Sequence, residues 1–141
     1  MKAHIGVDAC SGLVHHVICT AANVADVAVT HALLHGTEDS VFGHSGDTGA
    51  EKRKALQACA AAFFIAAKRS TIQAIGNKRL RRQEQRWEHV RASVRAKVEH
   101  PFRVIKQQSG DTKVRYRGLA KNASQVFTLF ALSNRWMVRR Q

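Results

Sequence analysis

VRAKVEHPFRVIK, residues 94–106, carries one carboxylate, Glu99, among the bases Arg95, Lys97, Arg103 and Lys106. Arg95 lies four residues before Glu99 and Lys106 seven after. On a helix these offsets place all three on one face. Taken by spacing alone, Arg95 and Glu99 form a common i,i+4 helix pair, worth only ~0.3–0.5 kcal/mol. Taken with Lys106, the same face suits a carboxylate that holds a divalent cation while the flanking bases meet phosphates.

Charge outside this stretch bears on the choice. The chain has 141 residues and a formal net charge of +13. Residues 1–50 hold one lysine and five acids (Asp8, Asp26, Glu38, Asp39, Asp47), a net of −4, whereas residues 51–141 hold 22 Lys/Arg and five acids, a net of +17. Such asymmetry points to a polyanion facing the second part, and nucleic acid is the commonest polyanion in a cell. Hydrophobic residues make up 45% of the chain, which excludes compositional disorder and allows one domain with a moderate core. Apolar runs are too short to span a bilayer, and MKAHIGVDACSG lacks the apolar core of a signal peptide, so the expected location is cytoplasmic. Three cysteines without a C-x-x-C pair fit that compartment and read as buried small hydrophobes.

The pattern of apolar residues gives an α/β order. Ala3, Ile5 and Val7 alternate with polar residues, Asp8–Gly12 supplies turn residues, and Leu13–Thr20 is β-branched, which predicts a β-hairpin. A helix capped by Asn23 or Asp26 follows, with Val27, His31 and Leu34 on one side and Gly36 at its end. A short strand at Val41–Phe42, a helix over EKRKALQACA and a strand over AAFFIAAKR complete a mixed sheet. The remainder reads as helical. Trp87, Val90 or Val94, Val98 and Ile105 follow helical spacing, with Pro101 expected to kink the helix or start a new segment just after Glu99. SGDTKVRYRG is a basic loop, and a last amphipathic helix presents Val126, Phe127, Phe130 and Met137. The chain is thus expected to be one domain, with a sheet-forming part (1–69) and a helical basic part (70–141).

Three other features favour ordinary structural roles. His31 and His35 have the H-x-x-x-H spacing of a zinc pair, but no glutamate or third ligand accompanies them in the helix. His15 and His16 are strand neighbours and should point to opposite faces. GHSGDTGAEKRKA is a Gly-rich loop before a helix, but it lacks the Gly-Lys-Ser/Thr ending of a nucleotide loop.

Ordered blocks give these residues a family likeness. R-x3-E-x6-K at Arg95, Glu99 and Lys106 resembles the signature around the last acid of bacterial insertion-sequence transposases of the DDE type. MKAHIGVDACSGLVH, TAANVADV, HALLHG, VFGHSG, EKR, SVRAKVEHPFRVIK, KVRYRGLAKN and LFALSNRWMVRR resemble the insertion-sequence-five family in the right order, leaving residues 70–90 the least alike. The resemblance implies an RNase H-like fold. It also implies two Mg²⁺ ions held by Asp, Asp and Glu, and attack of water or a 3′-hydroxyl on a DNA phosphodiester. One carboxylate cannot fix two hard cations, so such chemistry needs the cluster.

Against that pattern, Glu99 takes the place of the acid and metal ligand. Arg95, Lys106, Arg103, Arg115, Arg117 and Lys121 become the DNA-binding candidates. His44 stands at the second Asp position, with Asp47 three residues later in a different slot, and Ala92 replaces the signature tyrosine. The strand bearing the first Asp would precede MKAHIGVD, and Asp8 belongs to the next strand. The expectation is therefore a partial RNase H-like mixed sheet with its first strand missing, followed by a helical region. As a truncated DDE transposase it would bind DNA without productive Mg²⁺ and without cleavage. The alternative is a non-enzymatic DNA-binding remnant or regulator of a full-length transposase. Unpaired strand edges would make the chain marginally stable or prone to pair with a second copy or a full-length relative.

Overall fold

A computed structural model describes residues 1–44, 49–56 and 59–139, with the backbone alone at 51. The elements in chain order are β1 (Lys2–Val7), β2 (Val14–Thr20), α1 (Asp26–Val29), β3 (Ser40–Gly43), β4 (Ala62–Ile65), α2 (Arg69–Gln73), α3 (Lys78–Gln108) and α4 (Leu119–Val138). Short 3₁₀ turns cover Thr30–Leu33, Ala50–Lys52 and Lys54–Leu56. The four expected strands and the two long C-terminal helices are present in the expected order. The single mixed sheet is not: β1 and β2 pair antiparallel in one two-stranded sheet, and β3 and β4 pair parallel in another. Pairing between distant strands leaves no mark in local periodicity, which is why sheet number was not readable from the pattern.

The chain divides into two compact units, one formed by Met1–Ala25 with Lys97–Gln141 and the other by Asp26–Ala96. In the first unit the hairpin register sets Ile5 opposite Val17 and Val7 opposite Val14. These apolar pairs pack on a core of Val14, Ile105 and Phe130, joined by Phe102, Val126 and Leu129. Phe102 meets Phe130 edge-on, with ring centroids 5.2 Å apart at 83°. The hairpin turn closes through Gly12 at φ +73°, a conformation that suits glycine. Asp8 braces it by accepting bonds from the Ser11 backbone N–H (2.6 Å) and hydroxyl (2.5 Å).

Two asparagines of α4 act as amide clamps on other segments. Asn134 accepts from the Val14 N–H (2.9 Å) and donates to the Val14 carbonyl (2.7 Å), so its side chain imitates a neighbouring strand at the start of β2. Asn122 does the same for Tyr116 in the preceding loop. Buried positions of α4 are accordingly Asn122, Phe130, Ser133 and Met137, while the expected core residue Phe127 is 47% exposed. Helical spacing gave the direction of the stripe, but the polar members were hidden by their chemistry.

In the Asp26–Ala96 unit, Phe42 and Phe64 stack on the parallel pair at 5.1 Å. The expected helix after Asp26 lasts only four residues before tightening into a 3₁₀ turn, and Leu34 is extended. Glu38 explains the stop, because its carboxylate accepts the N–H groups of His35 and Gly36. Within EKRKALQACA, where a helix was expected, the described residues form two three-residue 3₁₀ turns, closed by bonds such as Lys52 N–H to Gly49 C=O (3.1 Å), and 57–58 lie outside the described residues. One-turn segments do not recover the cost of helix nucleation. The Gly-rich loop at 45–48, with Asp47, lies outside the described residues.

Helix α3 runs through Pro101 without the expected break. Pro101 is fully buried and lies in the first unit, where Val104 and Ile105 share its core face. Packing there offsets the lost hydrogen bond to the Lys97 carbonyl. The Lys97 side chain instead holds the Ala9 carbonyl of the hairpin turn. Upstream, Trp87 is 54% exposed, and of the alternatives Val90 and Val94 it is Val94 that is half-buried, so the predicted stripe holds from Val94 through Val98 to Ile105. Cys10 is exposed and Cys19 and Cys59 are half-buried, correcting the expectation of buried thiols. No helix among the described residues is long and apolar enough to cross a membrane.

Candidate nucleic-acid interface

The last turns of α3 present opposite faces to core and solvent. Pro101, Val104 and Ile105 point inward. Their burial fixes the rotation of the helix, so Glu99, Phe102, Arg103, Lys106 and Gln107 line an open groove along it. Arg103 Nε donates weakly to Gln107 Oε1 at 3.4 Å. Glu99 is exposed and makes no hydrogen bond or ion pair among the described residues. The helix pair with Arg95 that spacing allowed is therefore not formed.

Arg95 belongs to a different arrangement. Its guanidinium reaches back two turns to Glu88 Oε1 at 2.8 Å. Arg91 pairs likewise with Glu84 at 2.9 Å and approaches Glu88 at 3.6 Å. The Glu88 carboxylate, 19% exposed, also accepts the Ala67 N–H at 3.3 Å and so ties the segment after β4 to α3. Sequence reading missed this ladder. Its signal is present as Glu84–Arg91 and Glu88–Arg95, two acid–base pairs each seven residues apart on one helical face. Within the ladder the buried Arg91 Nε has no partner among the described residues.

His44 sits at the end of β3 in the Asp26–Ala96 unit, exposed, with Nε2 3.3 Å from Asp26 Oδ2. His31 lies in a 3₁₀ turn and His35 beyond its end, both exposed, so the helical geometry that would align an H-x-x-x-H pair is absent. His15 and His16 do not diverge as strand alternation suggested. Their Nδ1 atoms are 3.3 Å apart and their rings meet edge-on.

The segment 109–118 joins α3 to α4. Asp111 accepts from Gln125 at 3.0 Å, and Gly110 and Gly118 turn the chain with φ of +61° and +89°. Arg115, Arg117 and Lys121 are exposed, with no ion pair among the described residues. Residues 112–141 contain seven bases and no acid. Lys121 occupies the first turn of α4, where the helix dipole disfavours a cation unless an anion comes near.

Residues 1–135 match the family model described as a transposase DDE domain. No solved structure matches the chain. Members of this family generally use divalent metal, and DNA is the partner the family implies. The described residues do not fit a two-metal centre of that kind. Glu99 belongs to no cluster of three carboxylate, histidine or cysteine ligands among the described residues, and Arg103 and Lys106 line its groove. Bases so placed oppose a bound cation. With the family match over nearly its whole length, and Arg95, Glu99 and Lys106 in the expected order, this chain belongs to the DDE transposase family.

Proposed function

We propose that this chain is an insertion-sequence-five type transposase segment, corresponding to the C-terminal part of the catalytic domain, that binds DNA through its basic second part and does not cut it. The observation that carries the reading is electrostatic: a net of +17 over residues 51–141, with Arg115, Arg117 and Lys121 exposed and in no ion pair among the described residues. Arg103 and Lys106 extend the same charge along α3, with Glu99 the one acid between them and Arg95. The loss of cleavage rests on Glu99 standing alone and on His44 at the second Asp position. Two two-stranded sheets, in which each strand pairs on one side only among the described residues, support an incomplete RNase H-like sheet. The domain remains one evolutionary unit, with 1–69 supplying strands and 70–141 the basic helices.

Phosphate contacts release counterions, so DNA affinity should fall linearly with log salt, with a slope of about −0.9 for each phosphate neutralised. Replacing Arg115, Arg117 and Lys121 together by alanine should flatten that slope by about two to three. Salt-independent binding, or none at low salt, would defeat the proposal. The isolation of Glu99 also favours a second reading, a non-enzymatic regulator that associates with a full-length transposase on DNA. Mixing the chain with a full-length relative should then alter transposition frequency, and an unchanged frequency would remove that reading.

A further inference from the structure

Asn122 is 4% exposed, yet most of its hydrogen-bonding capacity serves one loop residue. Its Oδ1 accepts the Tyr116 N–H at 3.1 Å. Its Nδ2 donates to the Tyr116 and Gly118 carbonyls, both at 2.6 Å. The clamp grips only backbone. The Tyr116 side chain is left 51% exposed, beside Val114 at 64%. Tyr116 is the only tyrosine of the chain, and it stands between Arg115 and Arg117, with Lys113 and Lys121 close in sequence. A buried amide thus immobilises the backbone beneath an aromatic ring that contributes little to the core.

Resting on the reading that the basic part binds DNA, we propose that Tyr116 is a stacking platform for an unpaired DNA base, with Arg115 and Arg117 on the adjoining phosphates. An exposed aromatic among cations is the combination that single strands engage, because every base has a π-face and every linkage a charge. Bases stacked within an intact duplex offer no such face. The Asn122 clamp orders the loop before binding, which lowers the entropic cost of association. The site therefore selects melted or single-stranded DNA, whereas Arg103 and Lys106 contribute charge alone.

Fluorescence anisotropy with a 20-nucleotide single strand and the blunt duplex of the same sequence tests this. Tyr116→Ala should weaken single-strand binding by about tenfold or more, the scale of a lost base–aromatic stack, and leave duplex binding within about twofold. Tyr116→Phe, which keeps the ring, should bind both as the unaltered chain does. Helical circular dichroism of Tyr116→Ala should be unchanged, since the clamp holds backbone atoms. If Tyr116→Ala leaves both affinities unchanged, or lowers both equally, the stacking platform is wrong while DNA binding stands. If the unaltered chain binds neither DNA, the DNA-binding reading falls and the platform with it.

Discussion

The hairpin unit, Met1–Ala25 with Lys97–Gln141, closes over Val14, Ile105 and Phe130 and finishes its backbone bonding with the amides of Asn122 and Asn134. The Asp26–Ala96 unit has short strands, a stacked Phe42–Phe64 pair and a ladder of Glu84, Glu88, Arg91 and Arg95 along α3. It leaves Leu80, Trp87 and Val90 at least half exposed. One unit adds satisfied amides to its apolar cluster, whereas the other adds a charged ladder to its own buried Ala50, Leu56 and Ile72. The two should therefore respond differently to core truncation, salt and acid. Trp136 in α4 and Trp87 in α3 report on them separately by fluorescence once the other tryptophan is replaced by phenylalanine.

Phe130→Ala should have the largest effect. Phe130 is 2% exposed, and deleting a buried phenylalanine costs about 3–5 kcal/mol. The Trp136 transition in urea should shift or vanish. A loss confined to the Trp87 signal would break the comparison. Asn134→Ala comes next, because it leaves the Val14 N–H and carbonyl unpaired at a cost of about 1–3 kcal/mol. Asn134→Asp should not restore it, since a carboxylate cannot donate to the Val14 carbonyl.

In the other unit, Glu88→Gln should cost less, about 1 kcal/mol, since the ladder is partly solvated and screened. That loss should shrink in high salt. A salt-independent loss would mean that the Ala67 contact, rather than the ion pairs, carries the effect.

Acid should act on both units, with the smallest effect. Hydrogen bonds from the Ser11 side chain and backbone hold the Asp8 carboxyl below its ordinary 3.8. Burial pushes Glu38 up, but bonds from the His35, Glu38 and Gly36 amides outweigh it and hold the group below 4.5. Each lowered carboxyl contributes stability that is full above its ordinary value and is lost as pH falls through the lowered one. Ser11→Ala should reduce the acid sensitivity seen at Trp136 and leave that at Trp87 unchanged. An identical acid profile at Trp136 would contradict this assignment.

Legibility in the sequence followed the range of the interactions. The hairpin was readable because Ala3, Ile5 and Val7 alternate with polar residues and Leu13–Thr20 is β-branched and apolar. Helix α4 was readable from its apolar spacing, but the inward Asn122 and Ser133 were not, since their partners are fixed only by tertiary structure. Pro101 looked like a break because local sterics disfavour it, and its burial became visible only in the fold. The order Arg95, Glu99, Lys106 was legible as a motif. What spacing could not show was that Arg95 turns to Glu88 and that Glu99 is left without a partner among the described residues, in a groove shared with Arg103 and Lys106.

The central claim is that the chain holds DNA without cutting it, and a supercoiled plasmid incubated with the chain and Mg²⁺ tests it most directly. The plasmid should migrate more slowly, high salt should reverse the retardation, and the DNA should still be supercoiled after the protein is removed. Open-circular product that Glu99→Gln abolishes would contradict it, because one isolated carboxylate would then be supporting the chemistry of three.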